Sequence, residues 1–137
     1  MRRASLSVAL LVLVGCASTA GLEASSIRLT SPSGETTWSD SIAVGSTQLA
    51  SALWITGVAS PSVGGLLRPA VTLKSREQDT LALQYRWTWF DQQGLEVGSS
   101  SQPWQALTMY GNQTLSVQGL APNSSVEGFK LHVRFQE

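Results

Sequence analysis

The chain has 137 residues and a mass of 14.6 kDa, which is enough for one ordinary domain and too little for two. Hydrophobic residues make up 42% of it, and nine basic residues balance nine acidic ones, which excludes a disordered charged tail as the main body. The basic residues are scattered and form no stripe, so that nucleic acid is not an expected partner.

The first 15 residues have the pattern of an export signal. Arg2 and Arg3 supply a positive start, and an apolar run follows at residues 4–14. Because this run is shorter than the roughly 20 residues that a membrane-spanning helix needs, the pattern predicts a cleaved signal and no permanent span. A buried first helix of the folded domain is the alternative.

The single cysteine directly follows this run. The sequence Leu13-Val14-Gly15-Cys16 resembles the lipobox of bacterial lipoproteins. The resemblance implies cleavage between Gly15 and Cys16, acylation of Cys16 by fatty acids such as palmitate, and anchoring to a membrane. Ala17 replaces the aspartate that retains such proteins in the inner membrane, which favours the periplasmic face of the outer membrane of a Gram-negative bacterium. An ordinary secretory signal, cleaved among the small residues after Cys16, stays open as the alternative.

Most of the remaining sequence alternates as half-buried antiparallel strands do. Apolar residues recur at every second position in these segments: 67–74, 81–89, 114–117 and 129–136. Turn residues separate the segments, among them Asp-Gln-Gln-Gly at 91–94 and Gly-Asn at 111–112. Residues 47–57 are ambiguous between helix and strand, and we predict a strand. The pattern indicates an all-β fold, a small antiparallel β-sandwich.

The sequence thus predicts three parts along the chain. They are a lipoprotein signal peptide at residues 1–15, a lipidated cysteine with a flexible tether at 16–26, and the β-sandwich domain at 27–137. Residues 17–26 are small and polar without an apolar period, which is typical of a flexible linker. With Cys16 acylated, the mature chain has no thiol left for a disulfide.

An aromatic block resembles a known family. The sequence YRWTWFDQQGLEV at residues 85–97, with GLAP at 119–122 and FKLHVRF at 129–135, is similar to the core of the YcfL-like family of small Gram-negative outer-membrane lipoproteins. The similarity extends over residues 66–135 and the lipobox. It implies an immunoglobulin-like sandwich in the cell envelope and supplies no catalytic residues.

Side chains suited to catalysis or metal binding are few in this sequence. His132, the single histidine, lies between Lys130 and Arg134 on the polar face of a predicted strand, where we expect it to be solvated. Asp91 is predicted to bond to its own turn backbone. Because His, Cys and carboxylate residues do not cluster at ligand spacing, the sequence predicts no enzyme activity, no cofactor and no metal.

Binding is therefore the expected activity. The alternation turns Trp87 and Trp89 inward and leaves Arg86 and Phe90 on the opposite face, while Trp104 follows in a polar segment. Trp104 either folds back over the sandwich edge or contacts a partner. Arg86, Phe90 and Trp104 are the candidate contact residues, since aromatic and arginine side chains dominate interfaces. The expected partner is an unidentified envelope protein, and a subunit role in a secretion or cell-wall assembly apparatus is the alternative.

Overall fold

The computed structural model describes residues 21–98 and 102–136. Strands dominate this part of the chain, and the elements follow one another as β1 (Leu22–Thr30), β2 (Thr36–Val44), α1 (Thr47–Ala52), β3 (Leu53–Ala59), β4 (Ser62–Val63), β5 (Leu66–Leu67), β6 (Ala70–Ser75), β7 (Leu81–Phe90), β8 (Glu96–Val97), β9 (Gln105–Met109), β10 (Thr114–Gln118) and β11 (Gly128–Phe135). The all-β class predicted from the alternation is confirmed.

Two antiparallel sheets form the sandwich. The larger sheet has the strand order β2-β1-β11-β7-β8, with β9 also paired to β7, and the smaller sheet has the order β10-β6-β3. The short hairpin of β4 and β5 stands apart from both. Neighbouring strands pair in antiparallel register throughout the described chain, and the predicted small antiparallel β-sandwich is confirmed.

Strands β7 and β11 are neighbours in the larger sheet, and their inner face carries the buried aromatic side chains of the core. Their register places Trp87 beside Leu131 and Trp89 beside Phe129, and all four side chains are buried. Trp87 stacks on Trp89 with ring centroids 5.5 Å apart, and the edge of Phe129 meets Trp87 at 5.7 Å. The inward orientation predicted for both tryptophans is confirmed, since the pleat sends alternate side chains to one face.

The first strand begins inside the segment that the sequence analysis assigned to the tether. Residues 22–26 pair with β11 on one side and β2 on the other, and Leu22, Ala24 and Ser26 are buried. The tether prediction was therefore wrong for residues 22–26. Alanine and serine fill a closely packed strand well but produce no hydrophobic pattern in the sequence. The fold includes Gly21, which leaves residues 17–20 between it and Cys16.

The structure divides residues 47–57, which we predicted to be one strand. Their first half is α1, and β3 begins at Leu53. Ser46 caps the helix, because its hydroxyl oxygen accepts the Leu49 N–H at 3.2 Å. Leu49 is buried in the core. In this half of the segment, the helical spacing of the apolar residues therefore decides the structure and the strand-like composition does not. The strand prediction was wrong for the first half and is confirmed for the second.

The turn between β7 and β8 matches the prediction for Asp91. One carboxylate oxygen of Asp91 accepts the N–H groups of Gln93 and Leu95, both at 2.9 Å. Gly94 has a φ of 79°, which glycine adopts without a Cβ clash. The carboxylate of Asp91 therefore stabilises its own turn, and that interpretation is confirmed.

The backbone of Gly119 lies against the buried indole of Trp87. A Cβ atom at Gly119 would come within 2.8 Å of the indole Cε2 carbon. We expect Gly119→Ala to lower the free energy of unfolding by roughly 1–3 kcal/mol, because the neighbouring aromatic rings hold the indole in place. Urea unfolding followed by tryptophan fluorescence measures this loss. Gly57→Ala is the control, since a Cβ there meets nothing closer than 3.7 Å; equal losses in both variants would contradict the packing argument.

Candidate functional site

The outer face of the larger sheet carries a row of polar and aromatic side chains across four strands. The register places Arg86 beside His132, and His132 beside Glu23. Trp104 precedes β9 by one residue, and one further step of the β7–β9 register sets it beside Arg86. We call the following residues the Trp104 patch: Trp104, Arg86, His132, Glu23, Lys130 and Arg134.

Two guanidinium groups hold Trp104 on this face. The guanidinium carbon of Arg134 lies 3.9 Å from the indole centroid, and that of Arg86 lies 4.5 Å from it. The His132 ring meets the indole in an edge arrangement, with centroids 4.9 Å apart. A cation over an exposed indole contributes about 0.5–1 kcal/mol. Trp104 thus folds back onto the sandwich, as the first of the two alternatives predicts, while part of its surface stays exposed.

Among the described side chains of the Trp104 patch, positive charges outnumber negative ones. Lys130 Nζ lies 3.6 Å from a carboxylate oxygen of Glu23, and His132 Nδ1 lies 3.8 Å from the other oxygen. Arg134 Nε donates to Gln84 Oε1 at 3.1 Å. The named patch therefore contains three cationic side chains, Lys130, Arg86 and Arg134, and one carboxylate, that of Glu23, which lies next to Lys130 and His132. Complementarity of charge favours a negatively charged partner surface.

His132 is more covered than the sequence analysis predicts. It lies on the outer face as expected, but only 12% of its side-chain surface is exposed to solvent. Trp104 packs against it from a distant part of the sequence. The prediction of a solvated side chain was therefore wrong, because strand alternation distinguishes the two faces of a sheet but does not show what covers the outer one.

The structure brings together two of the three predicted contact residues. Arg86 and Trp104 are in contact, whereas Phe90 lies four residues further along β7, a distance of about 13 Å along the strand. There the ring of Phe90 lies 5.9 Å from Lys130 Nζ, opposite Gly128. Phe90 therefore flanks the Trp104 patch and is joined to it through Lys130.

Sequence reasoning missed Glu23, Lys130 and Arg134 as members of this site. The alternation placed Lys130 and Arg134 on a polar face, but it did not reveal that this face lies under Trp104. Glu23 was assigned to the tether. The sequence does show a polar face on each of these strands. Which of these faces lie side by side depends on the strand order, and the strand order cannot be read from the sequence.

The predicted lipidation site, Cys16 with cleavage after Gly15, lies outside the described residues and stays a prediction. Within residues 21–98 and 102–136, no helix is long and apolar enough to cross a membrane. In the same part of the chain, no three His, Cys, Asp or Glu side chains come together as a metal site.

A groove of about 500 Å³ opens at the end of the sandwich opposite Gly21, and its lining residues are Val63, Leu66, Arg68, Gln118, Gly119 and Leu120. Arg68 donates a hydrogen bond to Gln118 at 3.2 Å. These lining side chains include no pair of nucleophile and base, which acyl or proton transfer would need. The Trp104 patch has the geometry of a binding surface, whereas this groove does not have the lining that catalysis would need.

Comparison with known proteins places the chain in a family. A family model described as "Protein of unknown function (DUF1425)" matches residues 40–135. The chain belongs to the DUF1425 family. The matched range contains every member of the Trp104 patch except Glu23, which precedes it. The narrower YcfL-like resemblance stays a prediction, and no curated protein matches this DUF1425 chain.

Solved structures share the fold of this DUF1425 domain. A crystal structure of a DUF1425 family member from Shewanella sp. pv-4 has a TM-score of 0.57 and 26% identity, with 80% of this chain and 96% of that chain covered. The crystal structure of Campylobacter jejuni cj0090 has a TM-score of 0.53 and 19% identity, with 60% of this chain and 85% of that chain covered. At that identity the second likeness concerns the fold alone.

Proposed function

We propose that this DUF1425 chain is a non-enzymatic lipoprotein, anchored through Cys16 on the periplasmic face of the outer membrane, that binds another envelope protein. The Trp104 patch is the proposed contact surface. Because cations outnumber carboxylates among the described side chains of the patch, the expected partner presents acidic side chains there.

The sequence ahead of the described domain supports the anchor. The lipobox at residues 13–16 places the single cysteine at the position that acylation requires. Each buried acyl CH₂ contributes about 0.8 kcal/mol, and stable anchoring needs more than one chain or a second membrane signal. The resemblance of residues 66–135 to YcfL-like lipoproteins favours the same location.

The position of Trp104 between Arg86 and Arg134 is the observation that carries the binding proposal. Tryptophan, tyrosine and arginine are enriched among the few residues that contribute most of the binding energy at protein interfaces. Side chains that are ordered before binding lose little entropy when a partner arrives. The two guanidinium contacts at 3.9 and 4.5 Å order the indole on a rigid sheet, so that the patch is preformed.

Photo-crosslinking in intact cells tests the location of the contact surface. A photoreactive residue replaces Thr88 or Ala106, which both lie on the outer face of the larger sheet. The control position is Ser116, on the outer face of the smaller sheet. We expect the same protein to be captured from the first two positions and not from Ser116. Equal capture at all three positions, or capture at Ser116 alone, would place the interface elsewhere.

Trp104→Ala is expected to lower the crosslinked product at least tenfold while the domain stays folded. Truncating a central interface tryptophan costs about 2 kcal/mol or more of binding energy. Losing two cation–π contacts costs about 1–2 kcal/mol of unfolding free energy, which urea unfolding measures. Leu120→Ala, an exposed apolar side chain outside the patch, is the control and should leave the product unchanged. If Trp104→Ala unfolds the domain without urea, Trp104 is structural and the proposal loses its main support.

A further inference from the structure

The chain enters the sandwich at one end, which we call the tether end. The Gly21 carbonyl oxygen accepts the N–H groups of Gly45 and Ser46 at 2.8 and 3.1 Å, and a Cβ on Gly21 would lie 2.0 Å from the Val133 carbonyl oxygen. Gly21 is therefore held in the fold. Residues 17–20 separate it from Cys16, and because an extended chain spans at most about 3.6 Å per residue, Gly21 lies within about 18 Å of Cys16.

Several elements meet at the tether end. Ser46, which is bonded to Gly21, is the N-cap of α1. At the other end of the helix, the Ala52 carbonyl oxygen accepts the N–H of Arg76 at 2.8 Å. Tyr110 begins the turn between β9 and β10, and that turn bonds to the loop that follows Arg76. The start of β3, the end of β6 and the β9–β10 turn therefore lie on the membrane side if Cys16 is acylated.

Exposed aromatic and basic side chains lie at this end of the sandwich: Trp54 and Lys74 belong to the smaller sheet, and Tyr110 follows β9 of the larger one. Trp54 is 47% exposed and Tyr110 is 65% exposed, and they are the aromatic members among the large exposed hydrophobic residues of the described chain. Lys74 is the cross-strand neighbour of Trp54, and the guanidinium carbon of Arg76 lies 4.1 Å from the Trp54 ring centroid. We call these four residues the tether-end cluster.

We infer that the tether-end cluster docks on the lipid surface and so turns the Trp104 patch away from the membrane. This inference rests on the proposed acylation of Cys16. Tryptophan and tyrosine favour the membrane–water interface, and lysine and arginine are attracted to anionic lipids. Glu77 and Asp79 lie at the same end and line a groove together with Leu81 and Phe135 of the larger sheet. Because Trp54, Lys74 and Arg76 are neighbours on the smaller sheet, this sheet is the side that fits a lipid surface.

The length of the sandwich makes this orientation measurable. β7 has 10 residues and is therefore about 33 Å long, and it runs from the tether end to the turn that contains Gln93. Thr114 pairs with Lys74 at the tether end. With the tether-end cluster on lipid, a label at Thr114 lies close to the head groups and a label at Gln93 lies far from them.

Fluorescence quenching on vesicles tests the docking. Thr114→Cys and Gln93→Cys are made in the lipidated full chain, where an acylated Cys16 leaves the new thiol as the single site for a fluorophore. The proteins are inserted into vesicles of phosphatidylethanolamine and phosphatidylglycerol that contain a head-group nitroxide lipid. We expect quenching of more than about twofold at position 114 and little at position 93, because the strand separates the two sites by most of its length.

A second variant isolates the contribution of the tether-end cluster. Trp54→Ala combined with Arg76→Gln should reduce quenching at position 114 to the level seen at position 93, while urea unfolding shows that the domain is still folded. If the protein is acylated by mass but both labels are quenched alike, or position 93 more, the docking is wrong and the lipoprotein proposal stands. If the mass shows no acyl chains, both proposals fail.

Discussion

Cys16→Ser is expected to remove the protein from the outer-membrane fraction and to leave its signal peptide uncut. A serine hydroxyl does not take up the diacylglycerol group that the thiol receives, and cleavage before residue 16 depends on that modification in the class that the lipobox resembles. Without acyl chains the protein loses about 0.8 kcal/mol of membrane affinity for each CH₂ that the chains would bury. Membrane fractionation and intact mass of the purified protein measure both effects.

The control for this prediction moves the thiol by two positions. Cys16→Ser combined with Ser18→Cys restores one cysteine to the chain but not at the lipobox position. We expect this double variant to behave as Cys16→Ser does. An unchanged mass and an unchanged outer-membrane fraction in Cys16→Ser would rule out the lipid anchor and, with it, the docking of the tether-end cluster.

Phe129→Ala is expected to cost about 3–5 kcal/mol of unfolding free energy, a large part of the roughly 5–15 kcal/mol that a domain has. Phe129 is fully buried in the central strand β11, where it packs against Trp87 at 5.7 Å and Trp38 at 6.4 Å. Rigid indoles on both sides cannot close the cavity that the missing ring leaves. Urea unfolding, with the slope compared between variants, measures the loss.

Phe90→Ala is the matched control for this core substitution. It makes the same chemical change on the outer face of β7, where the ring is partly exposed. We expect a loss of unfolding free energy of about 0.5 kcal/mol, the usual size of the effect at surface sites away from special features. A similar loss in Phe129→Ala and Phe90→Ala would show that the aromatic cluster is not the energetic centre of the core.

The two proposed surfaces give this DUF1425 domain opposite faces with different roles. Trp54, Lys74 and Arg76 of the tether-end cluster lie on β3, on β6 and directly after β6 of the smaller sheet, while the Trp104 patch lies on the outer face of the larger one. Docking of the first on lipid presents the second to the periplasm. The crosslinking and quenching experiments test this arrangement together.

The strands that we predicted from alternation were correct where large apolar side chains formed the alternating pattern. β7 and β11 were found with the correct inward faces because Trp87, Trp89, Phe129 and Leu131 are bulky and recur with period two. β1 was missed because the buried side chains of Ala24 and Ser26 are small or polar and leave no strong hydrophobic alternation in the sequence. α1 was missed because six residues are too few for a helical period to stand out against a following strand.

The sequence by itself determined the local features of this protein: the lipobox pattern, the turn at Asp91, the all-β class and the inward faces of the central strands. Each depends on residues that are close together in the chain. The Trp104 patch was decided by the tertiary structure alone, because Trp104, Arg86, His132 and Glu23 become neighbours only through the pairing of β9, β7, β11 and β1. Pairing of distant strands is set by the packing of the whole core, and no short stretch of sequence contains that information.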